Sequence, residues 1–373
     1  MESNRITEEL LYEIALSRLE GVGSVHFKNL VTYFGSAREV FRMPRNKLLK
    51  VSGIGEQFIK GLNGKEQALR EAEKIMEQSA KAGIRILYLR SPEYPAALKE
   101  AYDAPPVLYC KGSGTLQPDK TLAIVGTRDA TDYGKSVVEE LVQALKGIQI
   151  ISGLAYGIDI TAHRAALNSQ LSTVGVMATG HNTVYPLAHK KTAEEILEKG
   201  GLLVSEQPLF TKLHPQFFVA RNRIIAGLSE VTLVVESGIR GGSMVTAEYA
   251  NNYNKEVFAV PGDLHRKYSK GPNKLIFTNK AHLFTDAETL AEWMRWDEQP
   301  PKKKVTAPDL SAYSDEEKRV LEMLIKKEEV IIDDLAWHTG ISLNRLSYIL
   351  IDLEFREIIK QSPGKKFSLK NHL

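Results

Sequence analysis

Apolar, β-rich runs recur along the middle of this sequence, and each run stops at a cluster of small or polar residues. The first begins at Thr121 and stops at Gly126-Thr127-Arg128, and the second begins at Ile148 and stops at Ser152-Gly153. Segments of helical length and pattern separate these runs from later ones, which begin at Thr173, Gly201, Val231 and Glu256. The alternation predicts an α/β fold with a doubly wound, mostly parallel sheet and helices on both faces.

The small and polar clusters predict a ligand site, because parallel strands end at the same edge of a sheet. In doubly wound sheets, ligands bind outside the carboxyl ends of the strands, so these corners are expected to line one crevice. Helix N-termini suit a phosphate or another anion, and glycines let such a ligand approach the backbone closely. Arg128 adds a planar guanidinium that is always charged and matches phosphate oxygens. For any single corner, the alternative is that its glycine only makes a tight turn.

The first 83 residues predict a small helical domain of the helix-hairpin-helix or SAM-like kind. Gly21-Val22-Gly23 and Gly53-Ile54-Gly55 each begin two residues after an apolar residue, Leu19 or Val51, and precede a helical pattern. Such turns expose N–H groups that hold DNA phosphates without reading sequence. The alternative is a tight helix-helix connection, and the sequence leaves the choice open.

The chain after the core predicts a linker and a winged-helix domain. Residues 84–297 are assigned to the core, residues 298–310 are rich in proline and lysine and predict a linker, and residues 311–373 show three helices and a strand pair. Ser314 with Glu317 has the form of a capping box. Acids accompany the bases on the third helix, which favours a protein-protein or regulatory role over reading of a DNA groove.

Composition adds few constraints. A formal net charge of +3 over 373 residues is only mildly basic, so nucleic-acid binding has to come from a local patch. Cys110 is the only cysteine, which excludes an intrachain disulfide and a cysteine-cluster metal site, and neither a metal nor a cofactor is expected. No apolar run approaches the roughly 18 residues that span a membrane, so a cytoplasmic location without membrane association is expected.

The core carries an ordered series of motifs that resembles the DNA-processing protein DprA (Smf) family. The motifs are Val125-Gly-Thr-Arg128, Ser152-Gly-Leu-Ala-Tyr-Gly-Ile-Asp159, Ala162-His163, Tyr185-Pro186, Ser205-Glu206, Arg221-Asn-Arg223, Val235-Glu236, Gly242-Ser243, Val260-Pro-Gly262 and Gly271-Pro-Asn-Lys-Leu-Ile276. The resemblance implies an extended Rossmann-like core between the two flanking domains. It also implies a homodimeric, non-enzymatic protein of natural transformation that binds and protects incoming single-stranded DNA and loads the RecA recombinase onto it.

On this resemblance, the residues expected to bind DNA lie at the strand corners and in the segments beside them. They are Gly126, Thr127, Arg128, Ser152, Gly153, Leu154, Ala155, Tyr156, Gly157, Lys190, Lys191, Arg221, Asn222, Arg223, Gly241, Gly242 and Ser243. An electropositive groove with backbone N–H donors holds a single strand without base discrimination.

The roles of three arginines stay open at this stage. Arg128 is the best candidate for a direct phosphate contact, and its alternative is an ion pair with Asp159 or Glu206. For Arg221 and Arg223, the expectation is that one faces the groove while the other pairs with Glu236. The glycines at 153, 157, 241 and 242 are expected to supply backbone donors.

Three further positions carry alternatives. Tyr156 and Phe217 are candidates for stacking on bases, although core packing is equally consistent with Phe217. His163 is more consistent with a structural role than with the crevice. The family often has a basic residue after Tyr185-Pro186, where this chain has Leu187, so Lys190 or Lys191 is expected to supply that charge.

Two rival functions belong to other classes. Gly241-Gly242 and Glu248 resemble the motif of nucleoside-monophosphate phosphoribohydrolases, nucleotide-processing enzymes in which a helix N-terminus holds phosphate and a glutamate assists glycosidic cleavage. Here Met244-Val245 stands where those enzymes have Gly-Thr. The other rival is a winged-helix transcription regulator with a ligand-sensing core, whose mark is sequence-specific duplex binding.

Overall fold

The computed structural model describes residues 2–296, 310, 313–327, 329–356, 358–362 and 364–370. These residues fall into two compact units, which we call the core unit, within 74–300, and the terminal unit, within 1–73 and 301–373. The linker predicted over 298–310 lies, except for Leu310, outside the described residues. The domain boundaries at residues 83 and 297 stay predictions.

The described helices and strands are numbered in chain order. The helices are α1 Glu2–Arg18, α2 Ser24–Phe34, α3 Ala37–Arg42, α4 Arg45–Leu48, α5 Glu56–Gly61, α6 Lys65–Lys81, α7 Ala96–Lys99, α8 Asp132–Ala144, α9 Ile158–Asn168, α10 Lys190–Glu198, α11 Pro215–Leu228, α12 Gly242–Asn252, α13 Lys270–Phe277, α14 Ala287–Trp293, α15 Asp315–Lys326, α16 Ile332–Thr339 and α17 Leu343–Phe355. The strands are β1 Arg85–Tyr88, β2 Val107–Gly112, β3 Thr121–Val125, β4 Gln149–Gly153, β5 Thr173–Met177, β6 Leu202–Ser205, β7 Val231–Val234, β8 Glu256–Ala259, β9 His282–Leu283, β10 Val330–Ile331, β11 Ile359–Ser362 and β12 Lys366–Leu369. Among the described helices, none combines the length and the apolarity needed to cross a bilayer.

The core unit is built on one mixed sheet with the strand order β1-β2-β6-β5-β4-β3-β7-β8-β9. The seven strands β6, β5, β4, β3, β7, β8 and β9 are parallel to one another, whereas β2 runs antiparallel to both of its neighbours, β1 and β6. The prediction of a doubly wound, mostly parallel sheet is confirmed. The prolines before β2 fall at this edge of the sheet, where a missing donor is tolerated.

Burial explains why the central strands are apolar throughout. Every residue of β3, β4 and β5 is buried, because helices cover both faces of the sheet. Leu122, Ile124 and Ile150 pack with Val138 of α8 and Phe258 of β8 in one cluster. This rigid centre fixes the carboxyl ends of the strands, where the candidate site lies.

The terminal unit brings the two ends of the chain together. The C-terminal part is a winged helix in which α15, α16 and α17 pack with a sheet of order β10-β12-β11. The predicted capping box is present, since Ser314 and Glu317 bond each other's backbone N–H groups. Helix α2 packs on this winged helix, because Lys28 Nζ lies 4.7 Å from the centre of the Trp337 ring. A Cβ on Gly35 would lie 3.2 Å from that of Ser342.

Candidate nucleic-acid interface

A crevice of about 350 Å³ opens at the carboxyl ends of β3, β4 and β7. Strand β3 lies between β4 and β7, so the chain leaves β3 in one direction and returns on its other side, which makes this the switch point of the sheet. Residues after these three strands and on α11 line it: Gly126, Thr127, Arg128, Ala155, Asp159, Phe218, Arg221, Asn222, Ser237, Gly241, Gly242 and Ser243, among others. The crevice lies at the edge of the sheet where the sequence predicts a ligand site, although the corners after β5, β6 and β8 lie outside its lining.

Close packing explains several of the glycines at these corners. Gly157 has a φ of +75°, and a Cβ there would approach the carbonyl oxygen of Thr127 to 2.2 Å. A Cβ on Gly126 would lie 2.4 Å from the side chain of Ile158. A Cβ on Gly153 would lie 2.1 Å from Nη1 of Arg221. The chain needs glycine at these positions for its own packing, before any ligand is considered.

Several backbone N–H groups at these corners already have acceptors in the fold, including that of Gly241, an expected donor, which bonds to the carbonyl oxygen of Gly238 at 2.9 Å. The Asp159 carboxylate accepts hydrogen bonds from the N–H groups of Ala155 and Gly126. Thr127 N donates to the carbonyl oxygen of Glu236 at 2.6 Å. At the start of α12, by contrast, the N–H groups of Gly242 and Ser243 meet no acceptor within the described residues. The N-terminus of α12 therefore offers free backbone donors of the kind that can bind an anion.

Arg128 and Arg221 give the crevice its positive charge. Arg128 is exposed and has no ion pair or hydrogen bond with the described residues. Arg221 is buried and donates from Nη1 to the carbonyl oxygen of Val176 at 2.6 Å and from Nε to Oδ1 of Asn222 at 3.2 Å. Burial raises the pKa of the Asp159 carboxyl, and the charge of Arg221 acts in the opposite direction.

Arg223 lies outside the crevice lining, although it is two residues from Arg221. Its Nη2 donates to both carboxylate oxygens of Glu206, and its Nη1 donates to the carbonyl oxygen of Asp103 at 2.6 Å. Glu236, the partner expected for one of the two arginines, instead accepts from the N–H and the hydroxyl of Thr131 at 2.9 and 2.7 Å. Arg223 therefore has a structural environment, and the expected pairing with Glu236 is wrong.

A small apolar pocket of about 50 Å³ adjoins the crevice and shares Arg128, Ala155, Phe218 and Arg221 with it. Its other walls include Leu154, Val176 and Met177. Tyr156 and Tyr185 flank its mouth, each about half exposed, and Tyr185 packs edge-on against Phe218 with ring centres 5.2 Å apart. Aromatic walls beside an arginine form a surface on which an unpaired base can stack.

Phe217 was one of the two stacking candidates in the sequence, with core packing equally consistent. Its neighbour Phe218 lines this pocket, whereas Phe217 packs beside the His214 ring with ring centres 5.7 Å apart. Adjacent residues on a helix point about 100° apart, so the doubled phenylalanine alone gave no signal. Tyr185 was also not assigned to the site, although Tyr185-Pro186 is one of the motifs that the chain shares with the family.

The remaining predicted residues have mixed environments. Ser152 is buried and donates from its hydroxyl to the carbonyl oxygen of Ile124 at 2.6 Å, which is a structural role. Lys190 and Lys191 begin α10 and are exposed, with Lys190 3.7 Å from Glu194. His189, just before them, hydrogen-bonds through Nδ1 to the carbonyl oxygen of Leu154 at 2.7 Å, so this segment joins the β4 corner.

His163 is fully buried and lies away from solvent. Its ring nitrogens lie 2.8 Å from the Thr173 hydroxyl and 2.7 Å from the carbonyl oxygen of Gly153. Burial lowers the pKa of His163 to about 4. The imidazole is therefore a neutral structural bridge between α9, β4 and β5.

The geometry does not assemble the motif of the nucleotide-processing enzymes. Gly241 and Gly242 line the crevice, but Glu248 lies on another face of α12, in a groove that it shares with Lys274 and Lys280. A glutamate that assists glycosidic cleavage has to reach the nucleotide whose phosphate the glycines hold. The positions of these residues therefore give that alternative no support.

Comparisons with known proteins agree with the motifs. A family model for DNA recombination-mediator protein A matches residues 85–295, and a model for the DprA winged helix domain matches residues 301–365. Protein Smf of Synechocystis is 30% identical over 96% of this chain and 98% of its own length. The crystal structure of DNA processing protein A from Streptococcus pneumoniae superposes with a TM-score of 0.64 at 30% identity, over 76% of this chain and 97% of that chain.

A second solved structure is that of DNA processing protein A from Helicobacter pylori, which was studied for its single-stranded DNA binding mode. It superposes with a TM-score of 0.52 at 29% identity, over 58% of this chain and 97% of that chain. The matched segments cover both the sheet that carries the crevice and the winged helix. The chain belongs to the DprA (Smf) family.

Proposed function

We propose that this chain binds single-stranded DNA in the crevice at the carboxyl ends of β3, β4 and β7. The observation that carries the proposal is the position of Arg128, an exposed guanidinium that lines both the crevice and the apolar pocket beside it. The N–H groups at the start of α12 line the same crevice. A single strand of DNA needs this combination, because its phosphates bind positive charges and N–H donors while its bases stack on aromatic side chains.

The apolar pocket favours single-stranded over duplex DNA. Its walls, which include Tyr156, Tyr185 and Phe218, suit the face of one base. In a duplex, both faces of each base are already stacked, so only an unpaired base reaches such walls without the cost of unstacking. Contacts to the phosphate backbone of the DNA alone would bind the single strand and the duplex alike.

The wider role in the proposal rests on membership of the DprA family. The chain acts in natural transformation, where it protects incoming strands and loads the RecA recombinase, and it performs no catalysis. Its crevice supports the DNA-binding part of this role through the geometry given above. The RecA part follows from the family resemblance.

A homodimer is also part of the proposal, and the open edge of the core sheet suits it. Strand β9 is the last strand in the sheet order, so one side of it has no neighbouring strand within the described residues. Leu283 on β9 is 47% exposed, and Phe277 at the end of α13 is 86% exposed. Exposed sheet edges with apolar side chains are surfaces on which a second chain pairs.

Binding to labelled poly-dT and to a duplex of equal length, titrated with salt, tests the proposed function. We expect tight and salt-sensitive binding of the single strand and weaker binding of the duplex. A Tyr156→Ala and Tyr185→Ala double variant should lose affinity for poly-dT by roughly 1–3 kcal/mol per stacked base. It should leave duplex binding unchanged. Equal binding of both DNA forms, or release of the base from AMP by the purified protein, would contradict the proposal.

A further inference from the structure

The loop between β6 and α11, residues 206–214, displays an aromatic side chain to solvent. Phe210 in this loop is 65% exposed. Its φ is +62°, a left-handed backbone conformation that residues with bulky side chains rarely adopt. Of the non-glycine residues with positive φ in the described part of the chain, Phe210 alone is apolar. An exposed ring held on a strained backbone indicates a ligand contact rather than a role in packing.

The β6–α11 loop is fixed to the corner after β5. The backbone N–H of Phe210 donates to Oδ1 of Asn182 at 2.8 Å. The hydroxyl of Thr211 donates to the carbonyl oxygen of Pro208 at 2.8 Å. A Cβ on Gly180 would approach that same carbonyl oxygen to 2.3 Å, so the two loops pack closely. The position of the Phe210 backbone is therefore set before any ligand binds.

The order of the strands places this loop next to the apolar pocket. Strand β5 lies between β4 and β6, and neighbouring strands are about 4.8 Å apart. The apolar pocket takes its walls from the corners after β4 and β5, with Tyr156 and Tyr185 at its mouth. The β6–α11 loop is the next corner along this edge of the sheet. Phe210 therefore continues the series of exposed aromatic side chains that Tyr156 and Tyr185 begin.

The charges at these two corners suit a polyanion. The β6–α11 loop and residues 178–191 contain three exposed lysines, Lys190, Lys191 and Lys212. Lys212 makes no hydrogen bond or ion pair with the described residues. The only acidic residue in the two segments is Glu206, whose carboxylate already accepts from Arg223. Positive charge beside an exposed ring is the combination that binds the phosphates and bases of a single strand.

We propose that Phe210 forms a second base-stacking site for the same DNA strand, one strand corner beyond the apolar pocket. The inference rests on the proposed function and extends it along the sheet. The DNA crosses the carboxyl ends of the strands from the start of α12, through the apolar pocket, to the β6–α11 loop. A base stacks on the Phe210 ring, and Lys212 binds a neighbouring phosphate.

Binding of labelled oligo-dT strands of increasing length tests this path. Phe210→Ala should leave unchanged the affinity for the shortest strand that fills the crevice and the apolar pocket. For longer strands, it should weaken binding by about five- to 150-fold, the value of one stacked base. The matched control is Phe355→Ala, at an exposed phenylalanine of α17, which should bind every length as the wild type does.

Salt titration separates the ring from the charge beside it. Phe210→Ala should keep the wild-type slope of log affinity against log salt for long strands, because the ring carries no charge. Lys212→Ala should change that slope by about 0.7, as expected for one phosphate contact to a single strand. A change of slope in Phe210→Ala would mean that the substitution had displaced the loop and its lysine.

A strand with one abasic nucleotide at a varied position identifies the base that Phe210 contacts. At one position, the abasic nucleotide and Phe210→Ala should together cost no more than either change alone, because both remove the same stacking contact. Tyr185→Ala should show this non-additivity at a different position. The separation of the two positions gives the number of nucleotides between the apolar pocket and the β6–α11 loop.

A glycine variant distinguishes the backbone from the side chain. Phe210→Gly should resist urea better than Phe210→Ala, because glycine adopts the positive φ freely. Both variants should bind long strands equally weakly, since both lack the ring. Recovery of affinity in Phe210→Gly would show that the loop conformation, and not the ring, supports binding, and would overturn the proposal.

Two further results would overturn it. One is unchanged binding of long strands by Phe210→Ala while Arg128→Ala weakens it, which would leave the crevice as the DNA site and remove the second site. The other is an additive loss with the abasic nucleotide at every position. Failure of the wild-type chain to bind poly-dT of any length would overturn the proposed function together with this inference.

Discussion

Arg223 donates from Nη2 to both carboxylate oxygens of Glu206, at 2.5 and 2.6 Å, in a largely buried position on α11. Two residues earlier on the same helix, Arg221 lines the crevice. The sequence Arg-Asn-Arg thus combines two different functions, because alternate residues on a helix point in nearly opposite directions. One arginine ties α11 to the corner after β6, and the other charges the proposed DNA site.

Arg223→Met should destabilise the fold without changing the salt dependence of DNA binding. The variant leaves the Glu206 carboxylate buried without its partner, and breaking a mostly buried pair in this way costs about 3 kcal/mol. Urea denaturation measures the loss in free energy of unfolding. Adding Glu206→Leu should recover part of it. A change in the salt slope for poly-dT would instead place Arg223 among the phosphate contacts.

The contrast between these arginines shows what the sequence can predict. Runs such as Thr121–Val125, followed by Gly126, predicted the strands and the edge at which they end, because strand burial and turn chemistry are local properties. Which N–H groups at that edge remain free depends on Asp159, because its carboxylate accepts from Ala155, four residues earlier, and from Gly126 at the end of another strand. The packing of Gly35 on Ser342 joins residues from opposite ends of the chain, and no local pattern encodes it.

Two glycines near the crevice should respond differently to alanine. A Cβ on Gly153 would lie 2.1 Å from Nη1 of Arg221, so Gly153→Ala should cost about 1–3 kcal/mol of stability through overpacking. At Gly242, the nearest atom to a new Cβ is Nδ2 of Asn222 at 3.9 Å, so Gly242→Ala should fold normally. Thermal denaturation of both variants measures the difference.

The Gly242→Ala variant should nevertheless bind poly-dT more weakly. The added methyl stands beside the N–H groups at the start of α12, and loss of one charge-assisted hydrogen bond costs about 1.5–3 kcal/mol. Gly64→Ala is the matched control, since a Cβ there meets no atom within 4 Å and Gly64 lies in the terminal unit. Full affinity in Gly242→Ala would exclude close approach of a phosphate to this helix.

Acid should destabilise the protein through His163. Burial lowers its pKa in the folded chain to about 4, whereas an unfolded histidine titrates near 6.5. The unfolded chain therefore binds the proton first as pH falls, and stability is lost between roughly pH 6.5 and 4 at up to about 1.4 kcal/mol per pH unit. His181, whose pKa burial also lowers to about 4, adds to the same slope.

The pH dependence of stability separates the protonation of His163 from a simple loss of packing at this site. His163→Asn should lower stability at pH 7, because it removes the bonds to Thr173 and Gly153, but it should also flatten the fall in stability between pH 6.5 and 4. Urea denaturation at several pH values gives both quantities. His265→Asn, at an exposed site, should keep the wild-type slope. An equally steep slope in His163→Asn would show that other groups dominate acid unfolding.

Arg128→Ala should weaken binding of poly-dT and reduce its salt dependence, because the exposed guanidinium is the charge in the crevice that is free to meet a phosphate. Loss of one phosphate contact to a single strand changes the slope of log affinity against log salt by about 0.7. Arg128→Lys keeps the charge without the planar fork, so it should retain the slope while losing part of the affinity. Lys146→Ala removes the same charge at the amino end of β4, on the edge of the sheet opposite the crevice, and should leave the slope unchanged. If Arg128→Ala and Lys146→Ala gave the same slope as the wild type, the strand would have to bind elsewhere on the protein.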